Sequence, residues 1–270
     1  MRLLLCTDGS PHATRALELG AALAQKVADE VHILSVTKHD HDKRGHRLAE
    51  STAATLETVG VVTTIHRRVG KLVDEVVQQA HAAPYDLVVI GSRGRRGLMR
   101  LLLGSVALRV TEHAPASVLV VKGRAREIRH LLICSAAGPV SERTIRFASR
   151  LALPLSAAVT LIHVMSQLPL ASNAILDDLE ASAEELIRRG SREGAHLSQM
   201  LSLLTAEGVK ARAVVRHGLV LDEILNEAQE GSYDLLVVGA HITPGLRPLL
   251  VDDLCADILL SANRPVLVVR

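Results

Sequence analysis

Short runs of aliphatic and β-branched residues alternate along the chain with longer segments in which apolar residues recur at three- and four-residue spacing. This is the pattern of parallel strands joined by crossover helices. In the first half, strands are expected at about residues 2 to 7, 31 to 36, 61 to 66, 86 to 91 and 117 to 122. They are near-continuously apolar, which implies a sheet covered by helices on both faces. Ser10 followed by Pro11 reads as a capped helix start. Behind it, Ala13, Ala16, Leu17, Gly20, Ala21, Ala24 and Val27 form a small-residue inner face. The pattern predicts a doubly wound α/β domain.

The pattern is written twice. Leu3-Leu4-Leu5-Cys6-Thr7 recurs as Leu131-Leu132-Ile133-Cys134-Ser135, and Val31 to Val36 recurs as Val159 to Val164, both at an offset of 128 residues. Further on the offset becomes 148, matching Gly70 to Val76 with Gly218 to Ile224, Tyr85 to Gly91 with Tyr233 to Gly239, and Ser117 to Val121 with Pro265 to Val269. The second copy therefore carries 20 extra residues, placed between about Met165 and Arg216. The polar stretch Gly123 to Arg129 separates the copies, giving domains at 1–123 and 130–270. The expectation is two tandem doubly wound, five-stranded, parallel-sheet domains of Rossmann-like α/β class, each with strand order 3-2-1-4-5. Each fifth strand would be a sheet edge that must be covered or paired. Pairing the two within one chain makes the second copy a built-in partner. In the insertion, Asp177 to Ile187 and Leu197 to Leu204 carry Leu179, Leu186, Leu197, Leu201 and Leu204 at helical spacing, which reads as a longer helix covering the core or meeting another subunit or a regulator.

Composition narrows the function. The length, 270 residues, suits two ordinary domains, and 48% apolar with 22% charged residues argues against disorder. No apolar run approaches a bilayer span. A net charge of +2 and only three aromatic residues, Phe147, Tyr85 and Tyr233, leave neither the field nor the stacking platforms for nucleic acid. Cys6, Cys134 and Cys255 form no C-x-x-C or zinc pattern and suit a reducing cytoplasm. The first apolar run meets Asp8 too soon for a signal peptide, so Met1 is read as the start of the fold itself.

In a sheet of order 3-2-1-4-5, ligands sit where the strand order reverses, outside the ends of strands 1 and 4. Thr7-Asp8-Gly9-Ser10 leaves the first and Gly91 the second. From Gly91 the chain reads G-x2-G-x9-G-S through Gly94 to Gly104 and Ser105. Glycines let backbone N–H groups approach phosphate oxygens, and the helix opened by Gly104-Ser105, expected from Val106 to His113, favours an anion at its start. Ser105 can cap that helix or donate to a phosphate, and Arg93, Arg95 and Arg96 add positive charge. The segment is neither a Walker loop nor the dinucleotide fingerprint.

These residues make the chain resemble the universal stress protein family, in its tandem, nucleotide-binding form, over nearly its whole length. The resemblance implies an adenine near Cys6, Thr7 and Val36 and Asp8 on the adenosine. It places Gly91, Arg93, Gly94, Gly104, Ser105 and Val106 around ribose and phosphates, with Ile90 among the contacting residues. It further implies ATP or AMP as ligand, Mg²⁺ accompanying ATP, dimerisation through the fifth strand, and a cytoplasmic role in stress response. The expected function is an ATP-binding regulator acting on an unknown protein partner. The alternatives are a slow ATP hydrolase and an interaction scaffold stabilised by nucleotide. No general base stands out, so no catalytic residue is assigned, and no metal ligand.

The second copy departs from the motif. Gly91 keeps a counterpart in Gly239, but Gly94 becomes Ile242, Gly104-Ser105 becomes Asp252-Asp253, and Asp8 becomes Ala136. Asp253 can still cap a helix, but a carboxylate where a phosphate would rest repels it. Pro244 and Pro248 also remove backbone donors. One nucleotide per chain, in the first copy, is expected. His39-Asp40-His41-Asp42 with His46 reads as a solvated loop rather than a metal cluster. Asp74-Glu75 and Asp222-Glu223 read as helix-dipole complements rather than acid–base pairs.

Overall fold

The computed structural model describes residues 1–38, 43–92, 105–123, 127–135, 139–165, 181–240 and 253–270. These divide into two compact units, Met1–Glu127 with Ala240–Arg270, and Ile128–Gly239. The first repeat runs β1 (Arg2–Thr7), α1 (Pro11–Val27), β2 (Glu30–Thr37), α2 (Arg44–Glu57), β3 (Val62–Val69), α3 (Leu72–Ala82), β4 (Leu87–Gly91), α4 (Ser105–His113) and β5 (Ser117–Val121). Its strands pair in parallel in the order β3-β2-β1-β4-β5, as the sequence predicts. The sheet centre is solid aliphatic: Leu3, Leu4, Leu5, Ile33, Leu87, Val88 and Val89 are fully buried.

Helix α1 starts as read, with the Ser10 hydroxyl accepting from the Ala13 N–H and Pro11 in the first turn. Its buried face is wider than the small-residue stripe: Leu19 and Leu23 are buried, while Ala21 and Val27 are half-buried. The helix packs against β1 and β4 and also touches α2, so two flanks need apolar cover. Strand β3 also differs from expectation. It runs on to Val69, and Val62 and Val69 are exposed. It is an edge strand, and Arg67 and Arg68 put charge on that edge.

The second repeat continues with β6 (His130–Cys134), α5 (Pro139–Leu155), β7 (Ala158–Met165), α6 (Ala183–Arg189), α7 (Arg192–Ala206), β8 (Ala211–His217), α8 (Val220–Glu230) and β9 (Leu235–Gly239). Strands β8-β7-β6-β9 pair in parallel, repeating the first four places of the order. The insertion is not one longer helix within the described residues. Gly190 closes α6, and the Ser191 hydroxyl caps α7 by accepting from the Gly194 N–H at 3.0 Å. A helix stop followed at once by a start makes a hairpin. Of its leucines read from the sequence, Leu186, Leu197 and Leu204 are fully buried, Leu201 is half-buried, and Leu179 lies outside the described residues.

The chain ends in α9 (Asp253–Ser261) and β10 (Val266–Val269), which fall in the first compact unit although the sequence assigns them to the second repeat. The reason is strand pairing. Strand β10 lies antiparallel to β5, with Val266 opposite Val120, Leu267 opposite Leu119 and Val268 opposite Val118. All six are buried, so each fifth strand covers the other's apolar edge.

Candidate functional site

Strand β1 has β2 on one side and β4 on the other, so the order reverses at its carboxyl end. The chain leaving β1 is held by its own side chains. Thr7 Oγ1 accepts from the Gly9 N–H and Asp8 Oδ1 from the Ser10 N–H, each at 3.0 Å. The Ser10 hydroxyl then caps α1, accepting at 3.2 Å from the Ala13 N–H. Short side-chain to backbone bonds of this kind fix a turn without a sheet ladder.

Gly9 adopts φ +73°, and a Cβ there would lie 2.9 Å from the Gly45 backbone nitrogen. The start of α2 is thereby drawn onto the turn, an approach only a residue without a side chain permits. Beneath it lie Thr7 and Ser35, both fully buried, and Thr37, 3% exposed. Ser35 Oγ meets His46 Nδ1 at 2.8 Å. Thr37 Oγ1 is buried and finds no hydrogen-bond partner among the described residues. His46, grouped by sequence with a histidine–aspartate loop, thus sits on helix α2 and braces the end of β2, while residues 39–42 lie outside the described residues.

The end of β4 completes the crevice. A Cβ on Gly91 would come within 2.7 Å of the His12 carbonyl, so the first turn of α1 can press against β4 only because this residue is glycine. Ile90, Val36 and Cys6 are buried at 4%, 3% and 3% exposure and supply apolar walls. Burial pushes the Cys6 thiol far up, so it serves as packing rather than as a nucleophile. Helix α4 begins at Ser105 with no acidic residue in its first turn, and Val106 is half-buried. Its first N–H groups lack intrahelical acceptors. Arg93, Gly94, Arg95, Arg96 and Gly104 lie outside the described residues, as does the side chain of Ser105. Of the residues expected at the site, the structure thus gathers Cys6, Thr7, Val36, Ile90 and Gly91 on β1, β2 and β4, and Asp8 in the turn after β1. Ser35, Thr37, Gly45 and His46 join them without having been read as site residues. Only the spacing of hydroxyls at the end of β2 hinted at them.

The corresponding strand ends of the second repeat are built differently. Ser135 Oγ, one residue beyond β6, meets His196 Nε2 of α7 at 2.8 Å. The His196 ring lies 6.1 Å from that of His163 on β7. Nδ1 of His163 and of His217 is buried without a partner among the described residues. Burial is the main cause that lowers the His163 imidazole below its usual range; the Ser135 backbone and Glu193 oppose this and His217 adds to it. Burial and the nearby His163 lower His196. Among the described residues no group of three or more His, Cys, Asp or Glu side chains is arranged to hold a metal ion. No described helix is long and apolar enough to cross a membrane.

Comparison with known proteins agrees with this architecture. The family model described as the universal stress protein family matches twice, over residues 1–122 and 127–270. The universal stress protein Slr1230 of Synechocystis is 21% identical, with 99% of each chain covered. The universal stress protein MJ0531 of Methanocaldococcus jannaschii is 28% identical over 47% of this chain and 84% of its own. A solved universal stress protein from Archaeoglobus fulgidus shares the fold, with a TM-score of 0.69 and 18% identity over 100% of this chain and 98% of its own. Two matches of one family model, on a chain whose two repeats each carry the β3-β2-β1-β4 or β8-β7-β6-β9 parallel order, make this chain a tandem member of the universal stress protein family.

Proposed function

We propose that the first repeat binds one adenine nucleotide per chain, ATP or AMP, with Mg²⁺ accompanying ATP, and that occupancy makes the protein a regulator in stress response. The observation that carries this reading is the meeting, at one switch point, of the bonded Thr7–Ser10 turn with Gly91, from which the G-x2-G-x9-G-S segment runs to the start of α4. Cys6, Thr7, Val36 and Ile90 would bound the base, and Asp8 would accept from adenosine. Gly91, Arg93, Gly94, Gly104, Ser105 and Val106 would surround ribose and phosphates. The role of the nucleotide would be to stabilise the segment from Gly91 to Gly104 and so shift what the surface offers a protein partner.

In the second repeat, Asp252-Asp253 replaces Gly104-Ser105 and removes the phosphate site. Calorimetric titration of nucleotide-free protein with ATP and Mg²⁺, alongside the Gly104→Asp variant, tests the reading. One site per chain, lost in the variant, supports it. A folded, nucleotide-free chain that takes up no ATP overturns it.

A further inference from the structure

Lys122 and Arg270 occupy the same place in the two repeats, one residue beyond β5 and β10 and 148 residues apart. Each does the same thing to a helix of the other repeat. Arg270 Nη2 donates to the carbonyls of Thr111 at 2.6 Å and Glu112 at 2.8 Å, the last turn of α4. Lys122 Nζ donates to the carbonyls of Leu259, of Leu260 at 3.4 Å and of Ala262 at 3.0 Å, the end of α9. Leu259 and Leu260 are the counterparts of Thr111 and Glu112 at the same 148-residue offset. The last carbonyls of a helix lack intrahelical donors and carry partial negative charge, so a cation placed there, buried Lys122 or half-buried Arg270, satisfies both needs. The Arg270 N–H also reaches Ser117 Oγ at 3.3 Å, tying the clamp to the start of β5.

The two clamps are alike, but the helices they hold are not. Helix α4 opens at Ser105, the proposed phosphate end, whereas α9 opens at Asp253 after Asp252. With nine residues α4 is about 13 Å long, so a tilt of about 10° about its far end would move its first turn by about 2 Å. A site that depends on backbone N–H groups tolerates far less than that.

We infer that Arg270, a residue of the second repeat, is a positioning residue for the nucleotide site of the first, acting through the carboxyl end of α4. The inference rests on the proposed nucleotide reading and gives the second repeat, which has lost the glycine motif, a role in that site.

The test uses the full chain as Arg270→Ala, Arg270→Lys and Lys122→Met. Each is titrated with ATP and Mg²⁺ and followed by hydrogen exchange over residues 105–113 and 253–261. Arg270→Ala weakens ATP binding roughly fivefold or more and speeds exchange in the last turn of α4. Arg270→Lys, which supplies the side chain that serves at position 122, restores most of the affinity. Lys122→Met speeds exchange in α9 but leaves ATP affinity within about twofold of wild type. By reciprocity, ATP slows exchange in α4 of the wild type more than in Arg270→Ala. Unchanged affinity in Arg270→Ala, or an equal loss in Lys122→Met, overturns the inference, because the clamps would then only hold the fold. If wild-type protein binds no ATP while Arg270→Ala still loosens α4, the nucleotide reading fails and the coupling with it, but the clamp stands.

Discussion

The strand ends of the two repeats share a backbone plan and differ in what fills it. In the first, Thr7, Ser35 and Thr37 form a buried floor of small hydroxyls, and Gly9 lets α2 close over the turn. At the equivalent positions the second has Ser135, His163 and Met165, with His196 and His217 added from α7 and β8. Two small hydroxylic residues have become an imidazole and a thioether chain, and the helix that follows opens on Asp252-Asp253 instead of Gly104-Ser105. Parallel pairing needs only apolar strands and short turns, so the sheet survives this change. A ligand site needs specific small and polar residues, and under the proposed reading it would not survive.

A second contrast lies beside β2 and β8. Gln79 donates to Tyr85 Oη at 2.9 Å in the first repeat. In the second, Tyr233 donates to Glu227 at 2.5 Å, and Arg216 donates to the same carboxylate at 2.8 and 2.5 Å. Burial pushes the Glu227 carboxyl up, but the bonds from Tyr233 and Arg216 and the Arg216 charge hold it below its ordinary value. A neutral amide has been exchanged for a charge that must be paired.

These contrasts can be pushed until they fail. The largest effect is expected from Gly104→Asp, which gives the first repeat the second repeat's residue. Like charges about 4 Å apart repel by about 1 to 4 kcal/mol between bulk-water and surface dielectric, so ATP affinity should fall by about 5-fold to 1000-fold in calorimetry. Glu227→Ala comes next. Glu227 is 5% exposed, and its loss removes the carboxylate that accepts from Tyr233 and one of the two, with Glu230, that accept from Arg216. Urea unfolding should show a loss of about 2 to 3 kcal/mol, whereas Glu227→Gln, which restores the amide of the first repeat, should cost under about 1 kcal/mol.

The histidines set a smaller, pH-dependent effect. His163 and His196 are lowered by burial, so below about pH 6.5 the unfolded chain binds protons that the folded chain resists. Stability is therefore full above that pH and falls as pH drops through the folded values. His66 and His130, also lowered chiefly by burial, give the same sign. Replacing His163 and His196 together by Gln should flatten, but not abolish, the fall in melting temperature between pH 7.5 and 5.5. The smallest effect is expected at Thr37, whose buried hydroxyl has no partner among the described residues. Thr37→Val should change stability by less than about 1 kcal/mol. Because that hydroxyl stands two residues beyond Ser35 on β2, the same variant should also weaken ATP binding several-fold, whereas unchanged affinity would mark the hydroxyl as structural.

Much of this was legible in the chain because repetition supplies a built-in alignment. The offsets place the first, second, fourth and fifth strands of both repeats to within a few residues, and the 148-residue step leads from Lys122 to Arg270, whereas β8 falls in the span assigned to the insertion. Apolar runs are a strong signal for buried strands, but a weaker one for edges. Strand β3 sits at the edge as the predicted order requires, but its Thr63, His66, Arg67 and Arg68 depart from the continuous apolar pattern that implies cover on both faces. The Gly190-Ser191 break was present as a stop and start signal, but leucine periodicity on both sides concealed it. The contact of Gly9 with Gly45 and the gathering of Ser135, His163 and His196 join segments far apart in sequence, and no local pattern announces them.

The central claim is that the two repeats have divided their labour, one holding a nucleotide site and the other supporting it. Native mass spectrometry of the stripped chain across an ATP titration tests this most directly. The account predicts a single bound nucleotide per chain at saturation, lost in Gly104→Asp. Two equivalent nucleotides per chain, or one that persists in Gly104→Asp, would contradict it.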